Sequence, residues 1–260
     1  MKIVVITGGT SGIGLELKNL YEKSGATVVT MSKRIIDSDL HYSVDVSNED
    51  AVKNTIEKVG NRFGKIDVLI NSAGFGMSGI TELLPTDDIK KLTEVNYYGT
   101  LYAVRSAIKF MQKGAKIINI SSAMALFPVP FRAIYASVKS AVLTLSYALK
   151  MELEPLGIQV SAICPGDIKT NFTQNRIKNF ETDERYGNRL LSATLKSDSR
   201  EDKRISCEKC SKNIFKIIER KKLKPFYIIG KKYKFLYFMT RITPKSLLLK
   251  FTNKFYGGEY

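Results

Sequence analysis

Short apolar runs alternate with longer amphipathic stretches along this chain. Ile3-Val4-Val5-Ile6 is the first run and Ala26-Thr27-Val28-Val29-Thr30-Met31 the second. His41 to Val46, Ile66 to Asn71, Lys116 to Ile120, Ile158 to Ile163 and Phe226 to Gly230 follow. Runs of this length read as strands, and the stretches between them carry helical spacing. Ile13, Leu17, Leu20 and Tyr21 share one helix face. Ile89, Leu92, Leu101, Val104, Ile108 and Met111 recur at three- and four-residue steps, with Thr86 placed to cap that helix and Asp87 and Asp88 in its first turn. Ser47 is the expected cap of the helix that follows the third strand. A further helix spans about Ser206 to Lys222.

The turn between the first strand and the first helix is Thr7-Gly8-Gly9-Thr10-Ser11-Gly12-Ile13-Gly14. Glycines there let the chain turn sharply and let a pyrophosphate approach the backbone. The helix N-terminus then offers free N–H groups and the positive end of its dipole. Glycines that serve tight packing alone are the plainer reading. At the end of the second strand, an acidic residue would suit the ribose hydroxyls of NAD(H). Ser32-Lys33-Arg34 stands there instead. Lys33 and Arg34 suit a 2′-phosphate, with Ser32 or Ser11 as hydrogen-bond partners, so NADP(H) is the expected cofactor in preference to NAD(H). The alternative is a pair of solvated loop cations. Asp45 ends the third strand within reach of an adenine amino group, and the small residues of Asn71-Ser72-Ala73-Gly74 leave room for a ribose.

Composition limits the remaining choices. The chain has 260 residues, 44% hydrophobic and 25% charged, which suits one globular α/β domain. Lys2 is followed at once by the first strand, so no signal peptide is expected, and no apolar run is long enough for a membrane span. Cys164, Cys207 and Cys210 make no disulfide framework, so a cytoplasmic setting is expected. Cys207-Glu-Lys-Cys210 lacks a second pair or a nearby histidine, so no metal site is expected. His41, the only histidine, reads as structural. The net charge of +16 is uneven: residues 201–260 hold 16 Lys/Arg against 5 Asp/Glu. A basic tail can meet acidic lipid, but no nucleic-acid-binding motif accompanies it, so no specific nucleic acid is expected.

Thirteen residues after Ser122, which ends the fifth strand, comes Tyr135, and one helical turn later Lys139. Side chains at i and i+4 share a helix face. A close ammonium favours phenolate, so such a tyrosine can exchange a proton with a carbonyl or alcohol oxygen. Asn96 interrupts an apolar helix, which admits a polar role or a surface position. At these residues the chain resembles the short-chain dehydrogenases/reductases. TGxxxGxG matches Thr7 to Gly14, NxAG matches Asn71 to Gly74, and YxxxK matches Tyr135 to Lys139. Asn96, Ser122 and Pro165-Gly166 fall where the family places them.

The resemblance implies roles. Tyr135 would be the acid/base, Lys139 would lower its pKa and bind the nicotinamide ribose, and Ser122 would hydrogen-bond the substrate oxygen. Asn96 would hold a water in a proton relay. Asp45, Val46, Asn71, Ala73 and Gly74 would line the adenine and ribose, and Pro165, Gly166, Ile168 and Thr170 the nicotinamide end. The reaction would be hydride transfer between the cofactor and an alcohol or carbonyl. The fold would be α/β, a doubly wound, parallel, seven-stranded Rossmann-type sheet in order 3-2-1-4-5-6-7. Residues 1–230 would form the catalytic domain, with a substrate lid at about 167–204. Residues 231–260 would add a basic amphipathic extension in which Pro244 opens a short helix.

That extension resembles the branch related to 17β-hydroxysteroid and retinol dehydrogenases, which implies a bulky apolar substrate. The tail is then an element on a membrane surface or at a substrate entrance, or a helix packed on its own domain or a partner. The family also implies a homodimer or homotetramer. Two alternatives are a non-catalytic NADP-binding regulator, which would have no need of Tyr135, Lys139 and Ser122, and a reductase of small polar carbonyls.

Overall fold

The computed structural model describes residues 1–169, 172, 176–198 and 204–258. Seven parallel strands form the central sheet: β1 (Ile3–Thr7), β2 (Thr27–Ser32), β3 (His41–Ser43), β4 (Val68–Asn71), β5 (Lys116–Ile120), β6 (Gln159–Pro165) and β7 (Phe226–Ile229). Their spatial order is 3-2-1-4-5-6-7, as the strand and helix alternation predicts. Nine helices frame the sheet among the described residues: α1 (Gly12–Lys23), α2 (Glu49–Phe63), α3 (Thr86–Thr93), α4 (Gly99–Ala107), α5 (Ala133–Glu152), α6 (Arg189–Asp198), α7 (Cys207–Ile218), α8 (Lys231–Ile242) and α9 (Lys245–Tyr256).

Burial on both faces explains why these strands are continuous apolar runs. Within β1, Val4 and Ile6 pack with Leu17 and Tyr21 of α1 and with Ile214 and Ile218 of α7. Val5 points the other way, into a core shared with Val52 and Ile56 of α2 and Ala103 and Val104 of α4. The period of two along one strand therefore feeds two cores. The sheet order reverses at β1, between β2 and β4, which opens a crevice at the carboxyl ends of the strands.

Local chemistry departs from expectation at three points. Asn48 caps α2, accepting from the Ala51 N–H at 2.9 Å, because Ser47 is instead drawn to Asp45, whose carboxylate accepts from both its N–H and its hydroxyl. Thr86 is the first residue of α3, and Pro85 holds the cap position. The long helix predicted after Thr86 is broken in register by a π turn over Glu94–Tyr98, and a 3-10 turn at Ile108–Phe110 ends α4 before Met111. His41 is structural: its ring joins the Thr30 hydroxyl and the Arg34 carbonyl, each at 2.8 Å.

Two short strand pairs hold the described parts of the stretch expected to be a lid. Ile168–Lys169 pairs with Ile205–Ser206, and Ile177–Lys178 pairs with Met77–Ser78. The C-terminal extension is two helices rather than one. Tyr233 and Tyr237 of α8 pack beside β6 and β7, and Asn253 and Gly257 at the end of α9 accept from Arg189 of α6.

Candidate active site

The crevice is built from the glycine turn upward. Gly8 has φ +70° and donates its N–H to the Met31 carbonyl at 2.7 Å, which bends the chain off β1. A Cβ on Gly14 would overlap the Gly8 carbonyl oxygen, so only glycine lets α1 start this close to the turn. Ser11 caps α1 without a side-chain bond to its first turn, leaving the N–H groups there to whatever occupies the crevice. Gly8, Ser11, Gly12 and Ile13 form one wall of a cavity of about 200 Å³; Ala73, Gly74, Pro165, Gly166 and Ile168 are among the residues opposite. A cradle with no room for a Cβ at Gly8 or Gly14, facing a helix N-terminus, fits a dinucleotide pyrophosphate.

At the edge of this crevice the Thr10 hydroxyl donates to Ser32 Oγ at 3.0 Å. Arg34 donates through Nη1 to the Thr10 carbonyl, also at 3.0 Å. Lys33 pairs with Asp45 at 2.7 Å, and this ammonium together with Ser47 holds the Asp45 carboxyl below its usual range against the opposing effect of partial burial. Asp45 is thus engaged by Lys33. Val46 is buried against Gly99 and lies in the core. Asn71 also lies behind the crevice: its amide donates to Asn119 Oδ1, and the Asn119 amide donates to Ser146 Oγ, both at 2.9 Å. That buried chain ties β4, β5 and α5 together. Thr170 lies outside the described residues.

Three of the side chains expected to be catalytic, Ser122, Tyr135 and Lys139, meet at the crevice. Ser122 follows β5 and accepts from the Met124 N–H at 3.1 Å. Tyr135 and Lys139 stand one turn apart on α5, both buried. Lys139 donates to the Ile120 carbonyl at 3.0 Å, and its Nζ lies 6.0 Å from the Tyr135 ring centre. Burial lowers the Lys139 pKa to about 8. Burial also pushes the Tyr135 phenol up; the hydrogen bond with Ser122 and the charges of Arg176 and Arg132 oppose that rise. Two arginines therefore join Lys139 among the cations around the phenol. Asn96 sits fully buried in the π turn. Its side chain grips the Phe75 backbone twice, donating at 2.8 Å and accepting at 3.0 Å, and its carbonyl accepts from the Thr100 hydroxyl. π turns recur at functional sites because they re-aim backbone groups.

A family model for short chain dehydrogenases matches residues 2–181. The chain is a short-chain dehydrogenase. It is accordingly an oxidoreductase of CH–OH and C=O groups. The dehydrogenase is 30% identical over 257 residues to a probable short-chain type dehydrogenase/reductase, VdlC, of Helicobacter pylori, covering 94% of each chain. It is 33% identical over 180 residues to a 3-ketodihydrosphingosine reductase of Bacteroides thetaiotaomicron, covering 67% of each. Among solved structures it superposes on ElxO with NADP bound at TM-score 0.74 and 28% identity, over 90% of this chain and 98% of that one.

A second cavity of about 330 Å³ adjoins the first, and the two share Ser122, Met124, Arg132 and the Pro165–Asp167 turn. Its outer wall is the C-terminal extension: Leu236, Met239 and Thr240 of α8 and Leu248, Phe251 and Phe255 of α9. Tyr233 closes the join. Its ring fills the space over Gly166, stacks on Phe127 at 5.9 Å and donates its hydroxyl to Asp167. Phe127, Arg132, Asp167 and Arg176 were not singled out from sequence; Gly166 and the apolar side of the tail helix with Leu248, Phe251 and Phe255 were. The tail's aromatic spacing was the available signal. Cys207 and Cys210, by contrast, sit at the start of α7 away from both cavities, and burial pushes both thiols up.

Proposed function

We propose that this dehydrogenase uses NADPH to reduce the carbonyl of a bulky apolar substrate. The observation that carries the reading is the second cavity, which meets the first at Ser122 and is walled by apolar side chains of α8 and α9. The name of the Bacteroides relative is consistent with it.

When bound, the nicotinamide supplies the hydride. The chain's own residues do the rest. The α1 N-terminus takes the pyrophosphate, and Arg34, Lys33 and Ser32 take the 2′-phosphate. Ser122 orients the carbonyl oxygen. The Tyr135 phenol, raised by burial, keeps its proton at neutral pH and donates it to that oxygen, which suits the direction of reduction. Lys139, one turn from Tyr135 on α5, would hold the nicotinamide ribose. Asn96 holds the Phe75 backbone, and with it the Gly74 turn, in line with the crevice.

A homodimer is part of this reading, because the outer face of α5 exposes Ala133, Ser137, Ala141 and Thr144 with no charge among them. So are a reducing compartment, which suits three free cysteines, and contact of the basic tail with a membrane surface. No helix among the described residues is long and apolar enough to cross a membrane. The test is NADPH oxidation followed at 340 nm against apolar and small polar ketones, with NADH alongside. Tyr135→Phe is expected to lower turnover at least a hundredfold while NADPH still binds. Turnover of small polar ketones alone would refute the substrate class.

A further inference from the structure

The C-terminal helices present two adjacent faces. On α8, Leu236, Met239 and Thr240 turn inward to the substrate cavity. One position away, Phe235, Phe238 and Ile242 follow each other at steps of three and four, are 58–63% exposed, and take no part in the cavity. Leu247 of α9 is likewise exposed and shares a helix face with Phe251, four residues on. Large apolar side chains concentrated on one outer face mark a surface that is covered in use.

Two observations place the cavity mouth at this face. Phe251 and Phe255 belong to both: they line the cavity and are still 51% and 58% exposed. Across from them stands α6, whose Ala193 and Thr194 line the cavity while Leu191 and Leu195 are exposed. The lid helix and the tail thus share one apolar rim.

Charge selects the occupant. Residues 231–258 contain seven Lys/Arg and no Asp/Glu. A second copy docked here by two-fold symmetry would bring two such basic segments together. Nucleic acid would answer the charge but not the phenylalanines. Apolar side chains flanked by lysines, on helices too short to span, suit the boundary of an anionic bilayer. We propose that the rim formed by α6, α8 and α9 docks on anionic lipid and opens the substrate cavity into the bilayer, so that substrate reaches Tyr135 without crossing water. The loading route rests on the apolar-substrate reading; docking does not.

The chain has no tryptophan, so one placed at the rim is a clean reporter. Phe251→Trp puts it at the mouth, and Met151→Trp puts a control on α5, where Met151 is 69% exposed. Both proteins are mixed with phosphatidylglycerol/phosphatidylcholine vesicles carrying brominated acyl chains. The expected result is quenching of the Phe251→Trp emission by at least half with no quenching of the control, and no effect with pure phosphatidylcholine. Adding Phe235→Asp and Phe238→Asp to the Phe251→Trp protein is expected to weaken vesicle binding at least tenfold, with unchanged NADPH binding showing that the fold is intact. Absent quenching, or equal quenching of both reporters, would overturn docking at this rim. So would sedimentation showing that the Asp variants instead split a dimer. None of these readouts needs turnover, so an inactive panel of ketones would sink the proposed function without touching this result.

Discussion

Replacing Lys139 by methionine is expected to stabilise the protein without ligand while abolishing its catalysis. The ammonium is buried, and burial lowers its pKa from 10.5 to about 8. A lysine harder to protonate in the folded than in the unfolded state opposes folding at every pH where the unfolded chain carries the proton. The sign follows directly. Between pH 8 and 10.5 the unfolded state holds the proton and the folded state has released it, so stability rises with pH through that window. Below about pH 8 both states are protonated and the full penalty stands. At about 1.4 kcal/mol per pKa unit, it is about 3 kcal/mol at pH 7 and falls to about 1 kcal/mol by pH 10.

Methionine has similar length and removes the charge, but it leaves the Ile120 carbonyl without the donor now 3.0 Å away, at a cost of about 1–3 kcal/mol. The net gain at pH 7 is therefore small and depends on that loss. The pH dependence does not, because the lost hydrogen bond offsets the variant by a nearly constant amount. Urea unfolding of the two proteins at pH 7, 8.5 and 10 isolates the proton term. The variant's stability relative to wild type is expected to fall by about 2 kcal/mol from pH 7 to pH 10. A difference that stays flat, or that grows with pH, would refute the assignment of a strained, charged lysine at this site.

Two further substitutions test the nucleotide crevice. Lys33→Ala with Arg34→Ala is expected to weaken NADPH at least tenfold and NADH less than threefold by fluorescence titration, since each charge-assisted bond is worth about 1.5–3 kcal/mol. Thermal stability should hardly move, because the Lys33–Asp45 pair is exposed and such pairs contribute about 0–1 kcal/mol; equal loss of both nucleotides would mean that another group reads the phosphate. Gly14→Ala presses a methyl onto the Gly8 backbone, with Gly8 C at 2.9 Å and Gly9 Cα at 3.2 Å, and neither can rotate away. It is expected to cost about 1–3 kcal/mol, measured as a lower urea midpoint, and to abolish nucleotide binding; normal binding would show that α1 can shift at no cost.

The sheet was legible in the sequence because burial on both faces writes itself as unbroken apolar runs, as in Ile3 to Ile6. The glycine turn was legible because it follows such a run and opens a helical pattern. What escaped notice depended on contacts distant in sequence. Nothing local marks Asn119 as the partner of Asn71 or Ser146 as the partner of Asn119, since the three come from β4, β5 and α5. Asp45 stands where an adenine contact is expected, yet it is held by Lys33 and Ser47. The stretch Lys231 to Met239 carries aromatic and basic residues on every side. Its inward and outward faces differ only once Gly166 and Phe127 supply a seat for Tyr233.

That seat also explains how one chain separates constant chemistry from variable specificity. The proton-bearing groups Ser122, Tyr135 and Lys139 hang on β5 and α5, whose positions are set by the buried core on both sides of the sheet. The cavity that would select a substrate is walled by α8 and α9, which pack at the β7 edge and on α6. Tyr233 joins the two regions at the Gly166 turn, through its ring and through its bond to Asp167, and Tyr237 packs on Phe226 of β7 beside it. The basic C-terminal segment therefore walls the second cavity and takes no part in lining the nucleotide crevice.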